Sequence, residues 1–463
     1  MTRLQSASLD RRLGPLDAAA IVISNVIGVG IFTTPGFVAT LLPDKTAMLS
    51  VWVIGGALAL AGALAYAELA ARRPQAGGEY VYLRESFGGL AAFLSGWTSF
   101  VAGFTGAIAA GGVGLAAYLG HFVASAGDAT AIALWRIGPL ALTLSVRALV
   151  AIAVIVALAL IQARGVGPGR VVQNALTTLT VGALVSFVVI GLMVAQPDTT
   201  AAPTSAAPVP WTSWLLALVP VMFSYAGWNA AVYVAEEIRD PARNVPRALA
   251  LGTASIVVLY LALNTLYLRV VPREELIGSI GVGEAAAARL FGSAAGSVFA
   301  AVAILIILSS LSAMTTAGPR VYFAMARDGA FLPAAARIHP RFRTPAIAIV
   351  AQAAWSAILV LSGTFEQLLT YTGFGVILFS ALAVLSLFFV RRTARQAATF
   401  RAWGYPWAPA LFCIVSFAIV INTIVEAPGV ASAGLLVMAA GVPMYWYVRR
   451  RNGTWAARIK NEQ

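Results

Sequence analysis

The stretch Ser24-Asn25-Val26-Ile27-Gly28-Val29-Gly30-Ile31-Phe32-Thr33-Thr34-Pro35-Gly36 reads SNVIGVGIFTTPG and lies inside the first long apolar run of the chain. Glycine in a helix interior costs about 1 kcal/mol against alanine, and proline about 3 kcal/mol. Two glycines one residue apart and then a proline therefore predict a local departure from helix. Pro35 is expected to end the outer half-helix of that break or to kink it.

The medium around this run follows from composition. Of 463 residues, 60% are hydrophobic and only 11% charged, with a mean hydropathy of +0.85. Soluble domains carry about 45–50% apolar and 25% charged residues. The chain is expected to be a polytopic membrane protein, built of runs of about 20 residues and not of barrel strands. Twelve apolar spans are read at 16–41, 48–71, 88–120, 143–162, 171–195, 211–236, 246–269, 290–326, 344–362, 366–390, 405–426 and 431–448. Two of these, 88–120 and 290–326, exceed one crossing, so tilt or extension into water is expected.

A net charge of +13 raises the question of nucleic acid. Topology answers it. With the N-terminus inside, the inner segments hold 24 basic residues and the outer segments six, with Arg320 inside a span. Basic residues near span ends stay cytoplasmic. The expectation is a multi-pass protein of the cell (inner) membrane with both termini cytoplasmic and no nucleic-acid partner. The start, MTRLQSASLDRRLGPLD, has no apolar core of a signal peptide, so the first helix is expected to insert uncleaved. One cysteine, Cys413, and two histidines, His121 and His339, leave little for a metal centre, and none is expected.

No soluble domain is visible. The organisation read is a cytoplasmic tail at 1–15, a first repeat at 16–195, a second at 211–390, two further spans at 405–448 and a tail at 449–463. Segment 196–210 is a proline-rich outer loop, 271–288 an outer loop with structure of its own, and 328–344 a basic inner loop. Span 1 breaks at Gly28-Val29-Gly30, and span 6 at Phe223-Ser224-Tyr225-Ala226-Gly227-Trp228-Asn229. Spans 1 and 6 are an odd number apart, so corresponding helices run in opposite directions: an inverted five-plus-five repeat. Interrupted helices at matching places in two halves point to a transport site near the midplane. Unwinding frees N–H and C=O groups that lipid cannot satisfy. N–H groups at a half-helix N-terminus attract a carboxylate, and freed carbonyls attract an ammonium. A zwitterion suits both. Close packing through small residues is the plain alternative for one such break, and two matched breaks weigh against it.

The motifs IGVGIFTTPG (27–36), LAYAELAARRPQAGGEYVYL (64–83), FSYAGWNAAVYVAEEIRDPARNVPRAL (223–249) and PRVYFAMARDGAFLP (319–333) resemble those of amino acid permeases of the amino acid–polyamine–organocation (APC) superfamily, nearest the L-type branch. The resemblance implies an all-α membrane fold of the LeuT type, with twelve transmembrane helices, helices 1 and 6 unwound and two extra C-terminal helices. It implies secondary active transport by alternating access and no enzyme activity or cofactor. The implied substrate set is Ile27, Gly28, Val29, Gly30, Phe223, Ser224, Tyr225, Ala226 and Asn229. Backbone N–H groups of Gly28 to Gly30 would hold the carboxylate, and carbonyls around Phe223, Ser224 and Ala226 the amine. Phe223 would close over the substrate from outside; Trp228 is better read as packing.

Three departures from the family pattern bear on function. Val29 stands where L-type relatives often carry serine. Thr180 stands where many members carry a lysine in span 5. The outer cysteine that would bond a heavy chain is absent, so no disulfide-linked partner is expected. Without the lysine, Val26, Thr180, Ser309, Ser310 or Ser312 could offer oxygens to a sodium ion, though the serines serve equally to pack and satisfy backbone. Na+, H+ and exchange without ion coupling stay open. Glu68 and Arg72, an i,i+4 pair, are read as an anchor of the inner gate. No carboxylate lies deep in spans 3, 8 or 10, so the pocket is read as apolar and uncharged, for neutral amino acids; a cationic amino acid or polyamine permease is the alternative. A channel would need pore-lining polar rings or a filter, and an enzyme clustered acid, base or metal ligands; the sequence offers neither.

Overall fold

A computed structural model describes residues 9–137, 140–195, 209–279, 281–292, 295–363, 365–393 and 398–451. The described chain is a helical membrane protein with one small antiparallel ladder. Segment 196–208 and the tail beyond 451 lie outside the described residues.

The first apolar run forms α1 (Pro15–Val26) and α2 (Gly30–Leu41), bent by 44° across Ile27–Val29. Pro15 opens α1, where its missing N–H costs nothing, and the Asp17 carboxylate accepts from the Gly14 N–H at 2.7 Å. Pro35 does not end α2, which runs six residues beyond it to Leu41. Next comes α3 (Lys45–Arg72), capped by Asp44, whose Oδ1 accepts from the Ala47 N–H at 2.7 Å. α4 (Glu79–Thr98), α5 (Phe104–Leu119), α6 (Val146–Ala163) and α7 (Val166–Val194) complete the first half. β1 (Ala133–Ile137) and β2 (Leu140–Leu144) form the antiparallel pair before α6.

The second half begins with α8 (Trp211–Tyr225) and the short α9 (Ala230–Tyr233), parted by Ala226–Asn229. It continues with α10 (Pro241–Val270), α11 (Arg273–Leu276), α12 (Val282–Phe291), α13 (Ala295–Arg327), α14 (Ala346–Ser362) and α15 (Phe365–Thr393). α16 (Trp407–Glu426), α17 (Pro428–Ala439) and α18 (Gly441–Arg451) close the chain.

Among the described residues nine helices or helix pairs are long and apolar enough to cross a bilayer, and ten if α1 and α2 are one bent span. α8 and α14 are shorter apolar helices at two more of the expected positions. The two expected long spans are present. α13, 33 residues long, covers 290–326 from Ala295 on, and Gly292, with a φ of +80°, ends α12 before it. Glu79–Leu119 is one candidate span with a π-turn at Ser99–Gly103 inside it. Residues 79–87, outside the expected spans, are helical, and a φ of +82° at Gly88 marks a kink between them and the rest of α4.

α1 lies against α7, α10 and α13, while α2 lies along α8 and α3 packs along α10. The N-terminal segment is tied to the far end of the second break: the Leu13 N–H donates to the Glu237 carbonyl at 3.0 Å, and the Arg239 N–H donates to the Leu13 carbonyl at 2.9 Å. This face also carries Glu236, Glu237, Arg327 and Asp328, and it is called the N-terminal face below.

Candidate functional site

The two breaks touch. Gly30 sits against Ser224: a Cβ there would come within 2.9 Å of the Ser224 hydroxyl and 3.3 Å of its Cα. Thr34 and Ser224 share a hydroxyl bond of 2.6 Å. Gly227, with a φ of +104°, faces the Asn25 carbonyl so closely that a Cβ would lie 2.7 Å from it. Only glycine satisfies both the backbone angle and the approach. Gly28 differs: the nearest atom to a Cβ there is the Ser310 hydroxyl at 3.8 Å, so packing does not require glycine at that point.

The bend frees backbone donors. The Ile27 N–H closes α1 on the Ile23 carbonyl at 2.9 Å, and the Phe32 N–H bonds to the Val29 carbonyl at 3.0 Å. Outside the helices the N–H groups of Gly28, Val29 and Gly30 make no backbone–backbone bond among the described residues, but that of Gly28 is hydrogen-bonded to the buried Tyr260 hydroxyl. They stand at the N-terminus of α2, where the helix dipole favours negative charge.

A cavity of about 240 Å³ opens at this junction. Gly28, Val29, Gly30, Phe223, Ser224, Ala226 and Asn229 line it, as does Val26. Val29 and Phe223 are 43% and 44% exposed, so the cavity is open above them. Two residues of the expected substrate set lie elsewhere. Ile27 is fully buried in the core. Tyr225 turns toward α3, where its hydroxyl donates to the Trp52 carbonyl at 3.2 Å and its ring meets Trp52 and Tyr260. Both side chains turn into the core and not into the cavity, which sequence adjacency does not reveal. Trp228 packs edge-on against Tyr66 and Phe412.

The residues read as a cation site are spoken for in part. The Val26 carbonyl accepts from the Tyr260 hydroxyl at 2.9 Å. Ser309 shares a bond of 2.7 Å with Ser24, which shares another of 2.6 Å with Thr177. Ser312 accepts from the Gln162 amide at 3.2 Å. Ser310 lines the cavity, and the Thr180 hydroxyl is buried with no hydrogen-bond partner.

The pocket read as uncharged contains a carboxylate. Glu79, the first residue of α4, lines the cavity. Its Oε1 accepts from the Tyr66 hydroxyl at 2.6 Å, the Asn229 amide at 2.8 Å and the Ser380 hydroxyl at 3.2 Å. The sequence reading missed it because the polar run 72–87 reads as a loop. Gly77 and Gly78, with φ of +110° and +49°, fold that run back under the cavity. Paired glycines before a helix were the available signal. Asn25, also missed, lines the cavity with a buried amide nitrogen that has no partner. Ser95, Thr98 and Ser99 add further polar lining.

Beneath the cavity the N-terminal face is closed. Arg320 donates to both oxygens of Glu237 at 2.8 and 3.0 Å, and both side chains are about 1–2% exposed. Arg327 bonds Glu236 at 3.0 Å, and Arg84 pairs with Asp328. Glu68 and Arg72 form the expected pair at 2.8 Å. Glu68 also pairs with Arg391 and accepts from the Ala402 N–H at 2.8 Å. It thus ties α3 to α15 and to the segment before α16. The pairs that lie under the breaks are those of Glu236 and Glu237.

Two apposed helix breaks over a central cavity, closed on one face, define a membrane carrier. The profile of the family described as amino acid permease matches residues 13–447. The serine/threonine exchanger SteT of Bacillus subtilis is 29% identical over 96% of this chain and 98% of its own length. The b(0,+)-type amino acid transporter 1 of Mus musculus is 28% identical over 99% and 92% respectively, and the cystine/glutamate transporter of Homo sapiens 27% over 96% and 86%. The chain belongs to the amino acid permease family of the APC superfamily. It is a transporter of that family and not an enzyme.

Proposed function

We propose that this chain moves neutral amino acids across the cell membrane by alternating access. In this reading it crosses the bilayer twelve times in a LeuT-type inverted repeat, with the N-terminal face and both termini cytoplasmic. The cavity is then open to the outside. The observation that carries the proposal is the pair of N–H groups at Val29 and Gly30, which make no backbone–backbone bond outside the helices, on residues that line a cavity shared with the second break. A carboxylate meets those donors at the start of α2. The amine meets the carbonyls at the end of α8, around Ser224 and Ala226 and beside the Phe223 carbonyl that accepts from the Ala226 N–H at 3.0 Å, and Phe223 folds down over the bound molecule.

Val29 offers no hydroxyl, so recognition of the carboxylate rests on the backbone and, from the opposite side of the bend, on the unpaired Asn25 amide. The relatives include one exchanger of serine and threonine, and Ser95, Thr98 and Ser99 in the lining suit a small hydroxyl-bearing side chain. We therefore favour small neutral amino acids within the class. Exchange is the mode that similarity to the serine/threonine exchanger SteT supports. The sodium set around Val26, Thr180 and Ser309 draws less support, since two of its oxygens already hold protein partners.

The test is counterflow into proteoliposomes loaded with one neutral amino acid. Labelled serine, threonine, leucine, lysine and putrescine are compared, with serine amide and N-acetylserine as competitors. Competition by serine and by neither blocked analogue supports the reading. Equal competition by serine amide removes the carboxylate site, and preferred uptake of lysine or putrescine removes the neutral class.

A further inference from the structure

We propose that Glu79 is a proton-binding site, and that its protonation is coupled to movement of the substrate. The inference rests on the transport reading above and adds an ion to it. It starts from where the carboxylate sits. Glu79 is at the floor of the cavity, reachable by cavity water, with the closed N-terminal face just below. Three residues earlier, the Ala76 N–H donates to Glu236 at 3.2 Å, and Glu236 is held by Arg327. A carboxylate between the open cavity and the closed face changes the side it serves when the face opens.

Its partners are the second observation. Tyr66 from α3, Asn229 from the second break and Ser380 from α15 all donate to Oε1. Tyr233 on α9 lies beside it and accepts from Asn229 at 2.9 Å. The ionisable groups facing Glu79 are therefore the phenols of Tyr66 on α3, Tyr233 on α9 and Tyr82 on its own helix; the second break and α15 present an amide and a hydroxyl. None of its hydrogen bonds comes from an arginine or a lysine. A structural carboxylate this deep in a membrane protein is normally paired with a cation, as Glu68 and Glu237 are here. Neutral donors stabilise the anion without fixing it, while exclusion of water favours the acid. Both forms fit the same cage: as the acid, Glu79 still accepts at Oε1.

The third observation is the link to the substrate. Asn229 belongs to the break that the proposal gives to the amine, and its amide bridges Glu79 to Tyr233. Loss or gain of charge at Glu79 changes how firmly Asn229 is held. The step balances simply: a proton from cavity water joins the carboxylate, crosses with it as the acid, and leaves to water on the other face. The one lysine in the described spans, Lys45, is the first residue of α3 and does not line the cavity.

The experiment uses the full chain in proteoliposomes, with the membrane potential clamped and a pH dye in the lumen. The substrate is the best one from the counterflow panel. With one proton per substrate, an outside-acid gradient of one pH unit is expected to support about tenfold accumulation, and substrate entry is expected to acidify the lumen. Glu79→Gln is expected to lose both effects. Glu79→Asp is expected to keep them with a shifted pH midpoint. Working counterflow in the wild type without accumulation or lumen acidification overturns the inference and leaves the transport reading intact. Absence of counterflow with every amino acid overturns the transport reading itself. Gradient dependence surviving in Glu79→Gln overturns the inference. Should Glu79→Gln be inert, an unchanged pH midpoint in Glu79→Asp overturns it, and a shifted one supports it.

Discussion

Gly227→Ala is the sharpest perturbation of the junction between the breaks. Its φ of +104° lies where an L side chain is strained, and a Cβ would stand 2.7 Å from the Asn25 carbonyl. Such backbone strain costs about 1–3 kcal/mol, and overpacking against backbone about 1–3 kcal/mol more. The contact joins α1 to the second break, so the structure relieves the overlap by parting the two halves of the site. At 1.36 kcal/mol for each factor of ten, a total of about 2–6 kcal/mol predicts a fall in counterflow efficiency of roughly thirtyfold to twenty-five-thousandfold. Gly28→Ala is the internal comparison. A methyl there finds its nearest atom at 3.8 Å, and the residue does not lie at positive φ. It is expected to retain thermal stability in detergent and to act only through the cavity space it takes. Gly30→Ala is expected to fall between them, with the Ser224 Cα at 3.3 Å and its hydroxyl able to rotate away. The assay is initial-rate counterflow against purified, monodisperse protein. Gly227→Ala transporting within about threefold of the parent would refute the claim that the breaks must touch, because so small a loss corresponds to less than about 1 kcal/mol.

The remaining predictions concern the closed face, the unpaired hydroxyl, the aromatic over the cavity and the outer loop. Arg320→Met leaves the buried Glu237 uncompensated, and loss of one partner of a buried pair costs about 3–5 kcal/mol; the melting temperature in detergent should drop sharply, and Glu237→Leu in the same chain should restore part of it. Thr180→Val removes a buried hydroxyl that has no partner; an unsatisfied group costs about 1–3 kcal/mol, so thermal stability should rise, with counterflow equally insensitive to sodium in parent and variant. Phe223→Ala removes the ring expected to close over the substrate, and should raise KM for counterflow by about tenfold while the melting temperature stays within a few degrees, since the ring is 44% exposed. Glu275, in the loop after α10, has its carboxyl held below the usual range by the hydrogen bond from Arg289, whose Nε donates at 3.0 Å. A depressed carboxyl adds stability above its unfolded titration range and loses it as pH falls through the folded value. The pair is exposed, so Arg289→Gln should lower the melting temperature by no more than about 1–2 °C at neutral pH and by nothing measurable in acid.

Both breaks were legible in the sequence because glycine and polar residues interrupt apolar runs, and lipid tolerates such interruption only at a protected site. What the sequence did not show was how each glycine works. Gly28 and Gly30 look alike in GVG, yet Gly30 is pressed against Ser224 while Gly28 leaves room for a methyl in ordinary contact with Ser310. That difference is set by a helix almost two hundred residues away. Ile27 and Tyr225 fell outside the cavity because proximity along the chain was taken for orientation, whereas the turn of each helix points them into the core. Glu79 was hidden by a different cause. Hydropathy assigns 72–87 to water, and only the positive φ angles at Gly77, Gly78 and Gly88 reveal that the segment returns beneath the cavity. The Glu68–Arg72 pair was readable from its i,i+4 spacing, but Arg391 and Ala402, which give it its structural role, come from the far end of the chain. The long eighth span was legible as one helix, and only its start, drawn at 290, differs from the Ala295 start of α13.

The central claim is that the backbone N–H groups of the first break, at Gly28, Val29 and Gly30, hold the substrate carboxylate while the second break holds the amine. An electron cryo-microscopy map of the full chain, saturated with the amino acid of highest counterflow rate, tests it most directly. The account predicts the carboxylate at hydrogen-bonding distance from those three backbone nitrogens, and the amine at the carbonyls around Phe223 and Ala226. A substrate lying in the cavity with its carboxylate turned away from α2 would contradict it.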